Sequence, residues 1–238
     1  MLTGIWCIDP DEKLYPLLPD HDLGHTNFVL VADDGSIWFS VMTTAPDGAP
    51  LSEVRADGYI GRITNSRDNF EIMAGKLNWA NEFKIDTSRS VLYVNETFVG
   101  HTTKFDINAD GSLCNRQILA SYEPGTYPDG LALDSEGALW ITSVVSNRIL
   151  HVTPEGTVST LLDSSDPQRV AEVQAALKNE TLSRELVYRE SDALIQNPTS
   201  FAFGGDDLRT AYVGSLNHSE LRTFKTKTAG RPPVHWLW

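Results

Sequence analysis

Asp129-Gly-Leu-Ala-Leu-Asp-Ser-Glu-Gly-Ala-Leu-Trp140 is a short apolar run, a polar turn, and a second apolar run that ends on an aromatic. The same phrase recurs at matched registers as Asn27-Phe-Val-Leu-Val-Ala-Asp-Asp-Gly-Ser-Ile-Trp38, Asn81-Glu-Phe-Lys-Ile-Asp-Thr-Ser-Arg-Ser-Val-Leu-Tyr93 and Thr199-Ser-Phe-Ala-Phe-Gly-Gly-Asp-Asp-Leu-Arg-Thr-Ala-Tyr212. Each copy has the pattern of an antiparallel hairpin, and one hairpin repeated along a chain is the signature of a β-propeller. Three of the copies open on an oxygen-donor side chain. A radial repeat aims Asn27, Asn81 and Asp129 at one axis, where a hard cation takes oxygen ligands.

The outer half of the unit repeats as well. Gly4-Ile-Trp-Cys-Ile-Asp-Pro-Asp-Glu-Lys-Leu-Tyr-Pro-Leu-Leu18 aligns without a gap on Arg148-Ile-Leu-His-Val-Thr-Pro-Glu-Gly-Thr-Val-Ser-Thr-Leu-Leu162. The expectation is therefore an all-β single domain over residues 1–238 with about four and a half blades. It begins with the outer two strands of one blade. Four blades follow at 27–79, 80–127, 128–165 and 198–238, with strands running from inner to outer. The tail Pro232-Pro-Val-His-Trp-Leu-Trp238 alternates as a closing outer strand would.

One stretch, near 166–190, breaks the pattern. Asp166 can cap a helix, Pro167 suits its first position, and Val170, Val173 and Leu177 share a helical face; Thr181 to Tyr188 adds a second short helix. This excursion between blades reads as a packing insert or a lid. The long connection from Ser40 to Gly61 joins the second and third strands of its blade, so it overhangs the end that carries Asn27, Asn81 and Asp129.

Hydrophobic residues make up 41% of the 238, charged residues 21%, and 17 Gly and 12 Pro supply the turns. A formal charge of −13 argues against a nucleic-acid partner and against a polybasic membrane contact. Cys7 and Cys114 lack metal-ligand spacing and are too few for a disulfide framework, which points to a cytoplasmic setting. No phosphate loop, nucleophile elbow or Cys-His pair is present.

The singled-out residues also have structural readings. Pro128-Asp129-Gly130 is a common turn signature, and Asn27 and Asn81 can cap their own backbone; the shared register favours ligands. Glu96 lies at the register of Ser143 and Ser215, one strand out from the ligands. His101 and His218 read as loop residues and His151 as structural. Trp38, Tyr93, Trp140 and Tyr212 end second strands and read as blade packing.

Taken together, Gly24-His-Thr-Asn-Phe-Val-Leu-Val31, Trp79-Ala-Asn-Glu82, Leu92-Tyr-Val-Asn-Glu-Thr97, Tyr127-Pro-Asp-Gly-Leu-Ala132 and Asn197-Pro-Thr-Ser-Phe-Ala-Phe-Gly-Gly-Asp-Asp-Leu-Arg-Thr-Ala-Tyr-Val213 resemble the SMP-30/gluconolactonase/LRE family. The resemblance covers nearly the whole chain. It implies a six-bladed propeller that hydrolyses sugar lactones or related esters with a divalent cation in its central channel, commonly calcium, with zinc, magnesium or manganese as alternatives. The implied ligands are a Glu, two Asn and an Asp. Asn27, Asn81 and Asp129 match the last three, Asp129 being also the candidate catalytic base or the group that orients the attacking water, and the Glu has no counterpart. By that measure the first blade and a half are absent, so the expectation is an amino-terminally shortened member. His25 stands where the family often has Arg, and Thr44 and Ala45 where an acid is expected; His25 and Glu96 are the candidate substrate contacts. Two alternatives stay open: another ester or phosphoester hydrolase on the same metal site, and a catalytically silent calcium-binding or interaction propeller.

Overall fold

The computed structural model describes residues 4–64 and 67–232. Strands β1 (Ile5–Ile8) and β2 (Leu14–Leu17) form a two-stranded sheet. Four further sheets follow. The first holds β3 (Thr26–Val31), β4 (Ile37–Val41), β5 (Gly58–Ile63) and β6 (Phe70–Leu77), and the second holds β7 (Ala80–Asp86), β8 (Val91–Glu96), β9 (His101–Ile107) and β10 (Leu113–Ser121). The third holds β11 (Pro128–Leu133), β12 (Leu139–Ser143), β13 (Arg148–Val152) and β14 (Val158–Asp163), and the fourth holds β15 (Pro198–Gly204), β16 (Thr210–Ser215) and β17 (Arg222–Lys225). All pairings within the sheets are antiparallel. The innermost strands β3, β7, β11 and β15 contact one another in that order, which makes the sheets propeller blades around an axis.

Apolar residues from facing sheets fill each gap between blades. Ile5, Leu17 and Leu18 pack on Phe39, Val41 and Tyr59, so β1–β2 stacks against the first four-stranded blade. Ile60 and Leu77 meet Phe83 and Leu92 in the next gap. Tyr93 meets Leu131 and Ile141, and Trp140 meets Phe201 and Ala211.

The repeated Asp and aromatic have a local reason. Asp134 Oδ1 accepts the turn N–H groups of Glu136 and Ala138 at 3.0 and 2.9 Å, while its Oδ2 accepts Trp140 Nε1–H at 3.0 Å. One buried carboxylate thus closes the hairpin and fixes the ring that packs the next blade. Trp38, Tyr93 and Trp140 are buried as expected. Tyr212 is 37% exposed, because it faces the side on which no following sheet stands among the described residues.

The expected helices are α1 (Pro167–Lys178) and α2 (Arg184–Val187). Asp166 caps α1 by accepting from Gln168 N and Arg169 N, with Pro167 at the start, and Ser183 caps α2. Val173 and Leu177 of α1 and Val187 of α2 are buried against Phe98, Tyr127, Val144 and Val145 at the blade ends. The excursion is a packed part of the fold.

After β17 the chain leaves the blade pattern. Gly230 N donates to Leu208 O, Ser135 N to Ala229 O and Arg231 N to Leu133 O, so residues 226–231 run from the fourth blade beneath the third. Arg231 then clamps the fully buried Asp86 of the second blade at 2.7 and 2.9 Å. The closing strand expected over Pro232–Trp238 falls mostly on residues 233–238, outside the described residues.

Burial pushes the Asp86 carboxyl up, but hydrogen bonds from Arg231, Ser88 and Arg89 outweigh it and hold it at about 2. A carboxyl depressed from its unfolded value contributes stability above that value and loses it as pH falls through the folded one. Asp86→Asn is therefore expected to lower stability at neutral pH by about 1–2 kcal/mol, with the gap to the unaltered chain closing as pH falls from about 4 to about 2. Urea unfolding at a series of pH values checks this; a gap independent of pH would remove the clamp's charge from the account.

Candidate functional site

Each inner strand begins with a β-bulge. The register slips between Thr26 and Val29 on β3, Ala80 and Phe83 on β7, Pro128 and Leu131 on β11, and Pro198 and Ser200 on β15. A bulge sets extra residues against the partner strand and re-aims their side chains. The bulged residues include Asn27, Asn81 with Glu82, Asp129 with Gly130, and Thr199. Asn27, Asn81, Glu82, Asp129 and Thr199 all line one cavity of about 1010 Å³ at this end of the axis. The repeat thus brings Asn27, Asn81 and Asp129 together as the sequence implied.

A bulge breaks the ladder, so its N–H groups need other partners. Phe28 N donates to Ser40 Oγ at 3.2 Å, and Gly130 N donates to Thr142 Oγ1 at 2.9 Å. Ser40 and Thr142 are fully buried and sit two residues beyond Trp38 and Trp140. Asn95, at the same place beyond Tyr93, instead donates across to Asp129 O and Gly130 O. That polar residue after three of the four aromatics, with Gly214 in its place after Tyr212, is a signal in the repeat that the sequence reading passed over. Gly130 itself is required by crowding: a Cβ there would lie 2.7 Å from Ser200 Cα and 2.8 Å from Thr199 O.

Thr97 settles which way the Asn81 amide faces. Its hydroxyl donates to Pro128 O at 2.8 Å, so its oxygen must accept from Asn81 Nδ2 at 3.1 Å. Asn81 Oδ1 is then turned from Thr97, and it is buried with no hydrogen-bond partner among the described residues. A buried carbonyl oxygen without a donor asks for a ligand.

Asp129 is half-buried on the cavity wall. Loss of solvent raises its carboxyl well above the ordinary range, the nearby Glu82 carboxylate adds to the rise, and the Asn81 amide draws it partly back. Burial also raises Glu82, which Lys84 and the Leu131 N–H oppose, and it lowers Lys84. Lys84 Nζ stands 3.6 Å from Glu82 and 4.1 Å from the centre of the Phe28 ring. Two acids stand on this wall, and Lys84, outside the cavity lining, pairs with Glu82. Among the described residues no group of three His, Cys, Asp or Glu is placed to hold a metal ion. The donor set that fits a hard cation is instead mixed: the orphaned amide oxygen of Asn81, the carboxylate of Asp129 and the amide of Asn27.

Asn27 is exposed and donates from Nδ2 to Met42 Sδ at 3.5 Å. His25 lines the cavity, with Nε2 3.1 Å from Ala45 O and 3.3 Å from Asp47. Glu96 does not reach the cavity, which corrects its expected role as a substrate contact. It is 1% exposed on the far side of β8, where Asn78 N, His101, Thr103 and Arg116 surround its carboxylate. Alternation along β8 explains the difference: Asn95 faces the axis side of the next blade, and its neighbour Glu96 faces the other way.

Two segments roof the cavity. The connection 42–57 is tied down by Asn78, whose Nδ2 reaches Ser52 O, Glu53 O and Arg55 O at 3.2, 2.9 and 2.6 Å. Thr181, Leu182, Val187 and Tyr188 of the helical excursion line the opposite side.

Residues 3–173 match the model of the SMP-30/gluconolactonase/LRE-like region. A 6-deoxy-6-sulfogluconolactonase of Pseudomonas putida is 26% identical over 219 residues, covering 90% of this chain and 62% of that protein. Among solved structures, a gluconolactonase of Xanthomonas campestris superposes with a TM-score of 0.61 at 19% identity, over 89% of this chain and 62% of its own. The calcium-binding protein regucalcin of Agrobacterium tumefaciens superposes with a TM-score of 0.58 at 14% identity, over 87% and 63%. The chain thus spans less than two thirds of the length of each of these proteins.

If Thr97 orients Asn81, then Thr97→Val should free the amide to rotate and weaken calcium binding by about tenfold, as loss of a group that orients a ligand does. Isothermal titration calorimetry checks this, with thermal unfolding to show that the fold is kept. An unchanged affinity would rule out the orienting role.

Proposed function

The chain belongs to the SMP-30/gluconolactonase/LRE-like family, and from that membership and the site geometry we propose that it hydrolyses a sugar lactone or similar cyclic ester with a divalent cation, calcium foremost. The observation that carries the reading is the buried, unpartnered Asn81 Oδ1 on the same wall as Asp129. The cavity, about 1010 Å³, is at the upper end of the range for small-molecule sites.

When bound, the cation supplies Lewis acidity toward the lactone carbonyl and toward water. Asn27 and Asn81 would hold it through neutral oxygens, so its charge is not quenched, while Asp129 contributes an anionic oxygen. Asp129 also serves as the base. It takes a proton from the attacking water as the new C–O bond forms at the carbonyl carbon, and the proton passes to the ring oxygen as the ring C–O bond breaks. The product is an open hydroxy acid. Connection 42–57 and the helical excursion enclose the ring, and His25 stands at the cavity edge as a candidate substrate contact. The free thiols of Cys7 and Cys114 suit a cytoplasmic setting, and among the described residues no helix is long and apolar enough to cross a membrane.

A panel of aldonolactones, assayed with calcium, zinc or manganese and with chelator, tests the reading. Hydrolysis that chelator stops and metal restores is the expected result. Asp129→Asn should lose turnover by at least about a hundredfold and weaken metal binding together, since one group serves both. Turnover that survives this substitution would overturn the role of Asp129, and metal binding without turnover of any lactone would leave a cation-binding propeller in place of the enzyme.

A further inference from the structure

The resemblance implies two carboxylates around the cation, and only Asp129 matches one of them by position. Glu82 is the unassigned acid on the same wall. It shares the β7 bulge with Asn81, so two consecutive side chains line the cavity, where regular alternation would have turned one away. The equivalent bulge residue is Phe28 on β3 and Gly130 on β11; Glu82 is the charged one.

Its side chain is 12% exposed and held across the gap between inner strands, with Oε2 accepting Leu131 N at 3.0 Å. Leu131 is two residues beyond Asp129, so this bond brings the Glu82 carboxylate alongside the Asp129 bulge. The hydrogen bond from Leu131 N and the nearest approach of Lys84 Nζ both fall on Oε2. Lys84 is an incomplete partner, at 3.6 Å from Glu82 and over the Phe28 ring. The independent pointer to a ligand is Asn81 Oδ1, buried, without a donor, and locked in orientation through Thr97.

We infer that Glu82 is the second carboxylate of the cation site, placed by the β7 bulge and supplied by the second four-stranded blade. The inference rests on the reading that Asn81 and Asp129 hold a divalent cation. Lys84 then balances Glu82 when the site is empty and competes with the incoming ion. Calcium affinity is set by the number of charged ligands, so Glu82 adds its charge to that of Asp129.

The test uses the full chain, calcium chloride as titrant, and calorimetry. Glu82→Gln keeps an oxygen to accept Leu131 N and replaces the other with an NH2 that cannot ligate a cation. It should weaken calcium binding by roughly tenfold to a hundredfold with the melting profile preserved. Lys84→Met should tighten binding, since the competing ammonium is gone while the stem over Phe28 stays. Bound terbium, sensitised by Trp79 on the cavity wall, should gain coordinated water in Glu82→Gln, as judged by its luminescence lifetimes in water and heavy water. Equal calcium affinity in the unaltered chain and Glu82→Gln, or terbium hydration that does not change, would overturn Glu82 as a ligand and leave the lactonase reading standing. No calcium binding by the unaltered chain would overturn both.

Discussion

The β-bulge at the head of each inner strand is the constraint on which the site depends. A bulge gives up ladder hydrogen bonds at the place where the blades crowd closest to the axis, and an unpaired buried N–H is destabilising by about 1–3 kcal/mol. The chain answers with side chains. Ser40 and Thr142 take the orphaned N–H groups of their own blades, Asn95 reaches into the next blade to hold the Asp129 and Gly130 carbonyls, and Glu82 takes Leu131 N. The same groups therefore hold the backbone that carries Asn27 and Asp129, while Thr97 orients the Asn81 amide. A change at Ser40 or Thr142 acts on the site through the backbone, without touching a ligand.

The two ends of the axis treat buried acids differently. At the hairpin end, Asp86 is met by Arg231, Arg89 and Ser88, and Asp134 by two N–H groups and an indole. Glu96, within the second blade, is surrounded by donors as well. These acids stabilise structure because each has its hydrogen bonds made. At the cavity end, Glu82 has only the Leu131 N–H and a partly desolvated lysine, Asp129 draws on the Asn81 amide, and both carboxyls are pushed up by burial. Folds satisfy buried charge wherever structure alone is at stake. A wall of acids left short of donors, next to an amide oxygen with none, marks the end of the molecule that is arranged for a ligand.

The roof over the cavity is part of the core rather than an appendage to it. Leu51 and Trp79 pack against the same cluster as Val173, Leu177 and Val187, so the long connection and the helical excursion are held by one apolar contact set. Asn78 links this roof to the blade, since it binds the connection with its side chain and the Glu96 carboxylate with its backbone N–H. Glu96, removed from the cavity, therefore supports it from behind.

Much of this was legible in the residues. The hairpin phrase, repeated with its Asp-bearing turn and closing aromatic, carried the blades, because strand period and turn chemistry are local properties of a few consecutive residues. The shared opening position placed Asn27, Asn81 and Asp129 at one end, and Asp166-Pro167 with the Val170, Val173 and Leu177 face placed α1. What tertiary structure decided was everything that depends on a neighbouring blade. Strict alternation would have sent Glu82 away from the cavity, and only the bulge on β7 turns it in. The orientation of the Asn81 amide depends on Thr97 bridging to Pro128 of the next inner strand, and the donors that surround Glu96 on the far side of β8 come from β9, β10 and the segment before β7. The path of residues 226–231 beneath the third blade followed from Asp86, a partner 145 residues away in sequence. Local pattern determines which residues can face the axis, but the partners of a buried polar atom come from wherever the fold brings donors within about 3 Å, and that distance is a property of the assembled blades.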